Sequence, residues 1–359
     1  MEGGGRTMST SSIGKISSPW LMLPSSSSSE ALYSKFYSLP EMKVVSIKKE
    51  APPPPWAQGE VKHVGYSHGW VALYNRDNRQ TFLSDPITGR HIKLPDIHAL
   101  RPYSSIIWPH MIILSSPPTA HDCRAIMVYG PRFCIAVCFP AHTSATWLPV
   151  CGQGSYTQPV YSTHHNRLFC IAEHDAVGCW DLESSSLVWK SDPYFNKDND
   201  KGCHYNKYLM TDEHSGRLFL VIRKVVNQVG RDGSLVKSIR LKSGYNDYDS
   251  YPHKTTSFEV YEIDAKDGKM RYMHASLDGF TMFVACNHSF VMQAADLNLS
   301  PDSIYFTDNL IFTYDGRCNH DSGIFDYVDR KVSSIYYPSH VSQISHTLAP
   351  TMWFTPISH

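Results

Sequence analysis

The residues best suited to chemistry in this sequence are its 19 histidines and 9 cysteines. The closest histidine group contains no His-Glu-x-x-His pattern and no Cys-x-x-Cys pair beside it; it consists of His164, His165, His174 and His204. Cys134 and Cys138 share one strand-like run, but two thiols are too few for a structural zinc site. We therefore predict no metal site and interpret these histidines as surface or hydrogen-bonded core residues.

Sequence motifs for catalysis or cofactor binding are also missing. The chain contains no Gly-x-Ser-x-Gly nucleophile elbow, no Gly-x-x-x-x-Gly-Lys-Ser/Thr phosphate loop and no Gly-x-Gly-x-x-Gly dinucleotide fingerprint. We predict no catalytic residue, no cofactor and no cofactor-binding residue.

Four aspartates recur at equivalent positions of strand-turn-strand segments and require a separate interpretation: Asp85, Asp181, Asp264 and Asp326. A ring of carboxylates could bind calcium. An aspartate that opens a turn, however, commonly accepts hydrogen bonds from the backbone of its own turn. We therefore predict Asx turns at these positions.

One stretch concentrates positive charge. Residues 223–242 contain six basic side chains and one acid, Asp232, which gives a formal charge of +5, and a segment rich in Tyr and Asp follows. The simpler interpretation of this stretch is a solvated loop. The more specific interpretation is a surface that binds an acidic partner. The candidate partner-binding residues are Arg223, Lys224, Arg231, Lys237, Arg240, Lys242, Tyr245, Tyr248 and Tyr251.

Composition limits the partners and the compartment. The 33 basic and 33 acidic residues balance, so we expect no nucleic-acid partner. No run of eighteen apolar residues occurs, and we expect no membrane partner. The N-terminus lacks a signal-peptide core, and the odd number of scattered cysteines favours reduced thiols. We expect a cytoplasmic or nuclear protein; the Ser-rich start leaves an organellar transit peptide as the alternative.

The elements that carry these residues are short strands. Four predicted hairpins repeat the order strand, Asp-containing turn, strand. These hairpins cover residues 81–94, 178–190, 258–274 and 322–338. A further strand candidate precedes each hairpin. Two weaker copies bring the number to about six, a repeat pattern typical of a β-propeller. Stacked β-sandwiches are the alternative, because imperfect repeats cannot prove ring closure.

We predict an all-β fold, a propeller of about six blades of antiparallel strands in one domain over residues 19–357. Residues 1–18 are expected to be disordered, and a long insertion is expected at 226–256. The Trp-containing segments at residues 19–24 and 352–356 should pair in one blade and close the ring.

The order of several blocks resembles a known family. SHGWVALYN with FLSDPITGRHIKLP, RLFCIAEHDAVGCWDL, SFEVYEIDAKDGKMRYMH and the terminal MWFTP are similar to the plant F-box-associated β-propellers of the KIB type. The resemblance extends from about Pro19 to Pro356. It implies a propeller that recognises partner proteins, and in relatives with an N-terminal F-box it implies presentation of substrates to a Skp-cullin ubiquitin ligase.

Only 18 residues precede Pro19, too few for an F-box of roughly 40 to 50 residues, which argues against direct binding to a Skp-type adaptor. We expect a monomeric, non-enzymatic protein-interaction propeller with an unidentified protein partner. The alternative is a propeller enzyme, a hydrolase or lyase with a site at the central channel.

Overall fold

The structure is a computed structural model. It describes residues 19–23, 33–39, 41–49, 52–100, 107–142, 145–151, 154–194, 203–227, 253–285, 289–296, 299–307, 321–333 and 352–355. By their contacts, residues 1–159 and 351–359 form one compact unit and residues 160–350 form another. The first unit contains three sheets, and three further sheets belong wholly or mainly to the second unit.

The first unit contains three four-stranded antiparallel sheets, here called blades 1 to 3. Blade 1 has the strand order β25-β1-β2-β3, with β1 at Trp20–Leu23, β2 at Tyr33–Ser38, β3 at Lys43–Lys48 and β25 at Met352–Phe354. Blade 2 contains β4 (Val61–Ser67), β5 (Trp70–Asn75), β6 (Thr81–Ser84) and β7 (His91–Lys93). Blade 3 contains β8 (Pro109–Leu114), β9 (Ala125–Tyr129), β10 (Cys134–Cys138) and β11 (Leu148–Cys151).

The second unit contains blades 4 to 6; β12 of blade 4 begins just before it. Blade 4 contains β12 (Thr157–Ser162), β13 (Arg167–Ile171), β14 (Val177–Asp181) and β15 (Ser186–Lys190). Blade 5 contains β16 (Cys203–Thr211), β17 (Leu218–Asn227), β18 (His253–Ile263) and β19 (Met270–Tyr272). Blade 6 has the order β21-β20-β22-β23-β24, with β20 at Phe280–Val284, β21 at Phe290–Gln293, β22 at Ser303–Phe306, β23 at Gly323–Asp326 and β24 at Lys331–Ser333.

The described residues confirm an all-β propeller of six blades. The only helical segments among them are short 3-10 turns at Pro55–Ala57, Ile97–Leu100, Glu173–Asp175 and Ala294–Asp296. One detail departs from the antiparallel expectation: β20 and β22 pair in parallel, with Met282 opposite Ile304. The residues between these two strands include β21, which adds a fifth strand at the edge of β20 opposite β22. The extent of the domain, residues 19–357, stays a prediction.

The two ends of the chain meet in blade 1, as predicted. Strands β1 and β25 pair antiparallel, with Trp20 opposite Phe354 and Met22 opposite Met352. The Phe354 ring also packs against Phe36 of β2, with ring centroids 4.8 Å apart. The terminal strand is buried, and its apolar side chains leave water when it pairs, so burial favours closure of this blade.

The turn aspartates form Asx turns, which confirms that prediction. In each of the four hairpins the aspartate Oδ1 accepts the amide two residues later, at 2.8 Å from Ile87, 2.8 Å from Glu183, 2.9 Å from Lys266 and 3.0 Å from Val328. The fifth residue of each turn has positive φ, a conformation that glycine adopts without steric cost. These positions are Gly89, Ser185, Gly268 and Arg330.

Within each unit, aromatic side chains bond neighbouring blades through their polar atoms. In the first unit the Tyr66 hydroxyl contacts the backbone of Thr355, and Trp147 Nε1 donates to the Pro95 carbonyl at 2.9 Å. In the second unit Trp189 Nε1 donates to the Ala265 carbonyl at 2.9 Å, and the Tyr327 hydroxyl to the Met273 carbonyl at 2.6 Å. A buried tyrosine or tryptophan needs such a partner, and these bonds link adjacent blades within each unit.

Candidate functional site

The predicted insertion is shorter than the sequence suggests. Strand β17 continues to Asn227 and β18 begins at His253, so six of the residues assigned to the loop lie in strands. Val226 pairs with Lys254, and Val225 with Thr255. The β-branched side chains at these positions favour strand, which the charge pattern of the segment obscured. The connection itself is residues 228–252, which lie outside the described residues.

Arg223 is the best-organised charged residue near this connection. Its side chain lies on β17 and has no exposed surface. The guanidinium carbon lies 4.8 Å from the centroid of the Phe306 ring on β22. A planar guanidinium can stack on an aromatic face and still donate hydrogen bonds in its own plane. The residue therefore lies between blades 5 and 6 within the second unit.

Hydrogen bonds surround the Arg223 guanidinium. Its Nε donates to Thr255 Oγ1 at 2.6 Å, and one terminal nitrogen donates to the Thr307 carbonyl at 2.8 Å. The other terminal nitrogen donates to Asp321 Oδ2 at 2.8 Å and to the Asp321 carbonyl at 2.9 Å. Asp321 Oδ2 also accepts the Thr255 amide at 2.7 Å and the Thr255 hydroxyl at 2.6 Å. A buried charge is tolerated only with such pairing.

The protonation of Arg223 follows from these neighbours. Burial by itself lowers the pKa of an arginine, because it disfavours the charged form. The oxygens of Tyr208 and Asp321 more than offset that effect and raise the pKa of Arg223 above its ordinary value. The guanidinium therefore stays charged, and the pair with Asp321 is ionic.

The positions of the partners explain what Arg223 does. Thr255 lies three residues beyond the connection 228–252, at the start of β18. Thr307 and Asp321 are the described residues on either side of residues 308–320, which connect β22 and β23. One guanidinium thus bonds the strand ends that flank two long connections of the second unit. We call Arg223, Thr255, Thr307 and Asp321 the loop-base cluster.

This geometry corrects one sequence-based assignment. Arg223 was expected on a partner-binding surface, but its side chain is buried and paired, so it presents no charge to a partner. The apolar run around it, LFLVIRKVV, was the available signal: an arginine inside a buried strand requires a buried acceptor. The identity of that acceptor, 98 positions away, could not be inferred from spacing.

The remaining candidate residues divide into two groups. Lys224 is half-buried on β17, and its ammonium lies 6.0 Å from the centroid of the Tyr205 ring. The other candidates lie outside the described residues; they are Arg231, Lys237, Arg240, Lys242, Tyr245, Tyr248 and Tyr251. Their role in partner binding stays a prediction.

The histidines and cysteines singled out in the sequence have structural contacts. His165 Nε2 lies 2.7 Å from the Gly216 carbonyl and joins the β12–β13 and β16–β17 turns. Cys138 is buried, and burial raises the pKa of its thiol above its ordinary value. Over the part of the chain that the structure describes, no group of three or more His, Cys, Asp or Glu side chains could hold a metal ion. No helix in that part is long and apolar enough to cross a membrane.

The family model of the KIB1-4 beta-propeller matches residues 36–326. The chain belongs to the KIB1-4 beta-propeller family. The match includes the whole of blades 2 to 5, four of the five strands of blade 6, and β3 with part of β2 of blade 1. It also includes the whole loop-base cluster. The resemblance noted in the sequence is thereby confirmed at the level of the propeller. No curated protein matches the chain.

Solved propeller structures are similar to this chain at low identity. A chain of a nidogen/laminin complex matches with 9% identity, 90% of this chain and 94% of that chain covered, and a TM-score of 0.42. The Cps50 (Swd1) beta-propeller domain of Myceliophteria thermophila matches with 10% identity, 67% and 80% coverage and a TM-score of 0.34. A PQQ-bound aldose sugar dehydrogenase of Streptomyces coelicolor matches with 14% identity, 62% and 86% coverage and a TM-score of 0.29.

Proposed function

We propose that this KIB1-4 propeller is a non-enzymatic protein-interaction module that recognises an acidic partner protein through residues 228–252. Its role would correspond to substrate recognition of the kind that the F-box-associated resemblance implies. The observation that carries the proposal is the loop-base cluster, which holds the strand ends on both sides of this connection.

The composition of the connection supports this partner chemistry. Residues 228–242 contain Arg231, Lys237, Arg240 and Lys242 against the single acid Asp232. Three tyrosines follow in residues 245–251, together with Asp247 and Asp249, so the basic charge is concentrated in the first part of the connection. Arginine and tyrosine are enriched where proteins bind one another, because both combine polar contacts with a large apolar surface. Basic charge also accelerates encounter with an acidic surface.

The attachment of the connection supports its use in binding. A binding loop gains affinity when its ends are held before the partner arrives, because less conformational entropy is lost on association. Strands β17 and β18 pair through ten register positions up to Asn227 and His253. The loop-base cluster adds buried hydrogen bonds at Thr255, three residues after the end of the connection.

The deletion that tests this proposal must spare the strands. Removal of residues 226–256 would delete Thr255 and expose Arg223, so we would replace only residues 228–252 with a short Gly/Ser linker. Both proteins are then used for proximity labelling in cells of the source organism. We expect the wild type to label its principal partners and the linker variant to lose them. A variant with residues 228–252 in shuffled order controls for charge and length alone.

Thermal unfolding of each variant separates a binding defect from a folding defect. If the linker variant folds as the wild type does and labels the same set of proteins, the role of residues 228–252 is wrong. If the shuffled variant keeps every partner, general charge rather than a specific contact is responsible, and specific recognition by this segment is excluded.

A further inference from the structure

A lysine lies at the junction of blades 1 and 2 within the first unit. Lys49 directly follows the last residue of β3. Alternation along the chain places it on the same side as Ile47, which packs against the apolar cluster that includes Tyr66 and Val71 of blade 2. Lys49 is half-buried there, whereas the preceding Lys48 lies on the other side of the strand and is exposed. The side chain of Lys49 therefore faces blade 2.

Two histidines of blade 2 lie close to the Lys49 ammonium. Burial lowers the pKa of His63 on β4 and of His91 on β7, and the positive charge of Lys49 lowers both further. An electrostatic effect on both imidazoles requires the ammonium to lie near both side chains. His91 also contacts the hydroxyl of Ser84, which lies 3.3 Å from Nε2. The basic groups beside Lys49 are therefore imidazoles that stay neutral near pH 7.

No carboxylate compensates the charge of Lys49 in the part of the chain that the structure describes. Its side chain forms no ion pair and no hydrogen bond with any described residue. Asp85 is the acid whose charge acts on His91, but its carboxylate accepts the Ile87 amide at 2.8 Å in its own Asx turn. Glu60, at the start of blade 2, pairs with Arg76. The ammonium is thus half-buried without a counter-ion.

These surroundings disfavour the charged form of the amine. An ammonium that loses water on burial and gains no anion is destabilised relative to the neutral amine. Burial accordingly lowers the pKa of Lys49 below its ordinary value. A lysine that is desolvated, or that lies beside other basic groups, is an activated nucleophile, because only the neutral amine carries a free electron pair. Lys49 also keeps part of its surface exposed, so a reagent in solution can reach it.

We propose that Lys49 is a site of Nε-acylation by thioester acyl donors. The neutral Nζ attacks the thioester carbonyl carbon, a C–N bond forms and the C–S bond breaks. The sulfur leaves with the electron pair of the C–S bond and takes up the proton released by Nζ, so the products are an amide and a thiol. Acylation removes the charge of the lysine, and with it the ammonium that has no counter-ion at the junction of blades 1 and 2. The proposal does not depend on partner binding by residues 228–252.

The test is acetylation of the full chain by acetyl-coenzyme A near neutral pH, followed at each lysine by mass spectrometry. Lys49 is expected to react at least about threefold faster than Lys48, because the rate at each lysine follows the neutral fraction of its amine. In concentrated urea both lysines keep their sequence neighbours but lose the fold, and their rates should converge. Equal rates in the native protein, or the same difference in urea, would overturn the proposal.

A substitution on blade 2 tests the surroundings of the amine. His91→Glu introduces a carboxylate beside Lys49, which favours the ammonium and should slow its acetylation to about the rate of Lys48. The matched control His98→Glu makes the same change at an exposed position and should leave the rate unchanged. Thermal unfolding verifies that both variants fold. If His91→Glu folds and Lys49 reacts as in the wild type, the proposal is wrong; if that variant does not fold, the comparison of Lys49 with Lys48 in the wild type decides.

Discussion

Arg223 and Asp321 are 98 positions apart in the sequence, and the guanidinium donates hydrogen bonds to both the carboxylate and the carbonyl of Asp321, at 2.8 and 2.9 Å. The pair joins β17 of blade 5 to the residue that precedes β23 of blade 6. A surface ion pair would contribute little, but here both groups are removed from water and each depends on the other.

Loss of either member should therefore destabilise the protein strongly. Arg223→Met and Asp321→Asn are each expected to lower the free energy of unfolding by about 3 to 5 kcal/mol, because each leaves a buried charge or acceptor without its partner. Urea unfolding measures the change. Arg76→Gln is the control, since its pair with Glu60 is exposed and should cost less than about 1 kcal/mol. Equal costs for Arg223→Met and Arg76→Gln would contradict a structural role for the loop-base cluster.

Gly268 is predicted to tolerate no side chain. Its φ of 77° is costly for alanine, and the added Cβ would meet the Trp189 ring at 2.7 Å. Gly268→Ala should lower the free energy of unfolding by about 2 to 4 kcal/mol, the sum of backbone strain and overpacking. Gly130→Ala isolates the backbone effect, because Gly130 has a similar φ of 71° and open space around it.

We expect the control Gly130→Ala to cost only about 1 to 2 kcal/mol and to leave tryptophan emission unchanged. Urea unfolding and the emission spectrum together check both variants. If the two substitutions cost the same and neither alters the emission, the contact between Trp189 and the β18–β19 turn does not contribute.

Ser185 offers a substitution that should increase stability. It occupies the fifth position of the Asp181 turn with a φ of 51°, where Gly268 stands in the Asp264 turn. Ser185→Gly relieves backbone strain but adds freedom to the unfolded chain, with an expected net gain of about 0.5 kcal/mol. The neighbour Ser186 lies in β15, so Ser186→Gly should destabilise by about 0.5 to 1 kcal/mol. Differential scanning calorimetry should give opposite signs, and equal signs would refute the assignment of strain.

His63 should make stability depend on pH. Its Nδ1 atom is buried and finds no hydrogen-bond partner among the described residues, and burial, with a contribution from Lys49, lowers its pKa to about 4. The unfolded chain, with a pKa near 6.5, therefore takes up the proton first as pH falls. The resulting stability is complete above about pH 6.5 and is lost progressively toward about pH 4, by up to about 3 kcal/mol.

Urea unfolding between about pH 4 and 7.5 measures this dependence. His63→Gln should flatten the pH profile in this window, whereas the exposed control His98→Gln should not. Other histidines with a pKa lowered by burial retain their own contributions in both variants; they are His68, His91 and His110. Parallel profiles for the wild type and His63→Gln would contradict the buried, neutral state of His63.

The sequence by itself determined the local structure of this propeller. The Asp-containing turns, the paired strands around them and the meeting of Trp20 with Phe354 follow from patterns that act over a few residues or from the repetition of one unit. Each hairpin carries its own turn chemistry and alternation, so its prediction did not require knowledge of the rest of the chain.

Only the tertiary structure decided which charged groups are paired. Arg223 belongs to a basic stretch in the sequence, but Asp321 neutralises it from a neighbouring blade, and Glu262 is neutralised by Arg217 and Arg271 in the same way. The parallel pairing of β20 and β22 was also not predictable from alternation, which is identical for both directions of pairing. The physical reason is common to these cases: electrostatic pairing and strand neighbours depend on distance in space, and sequence patterns record only distance along the chain.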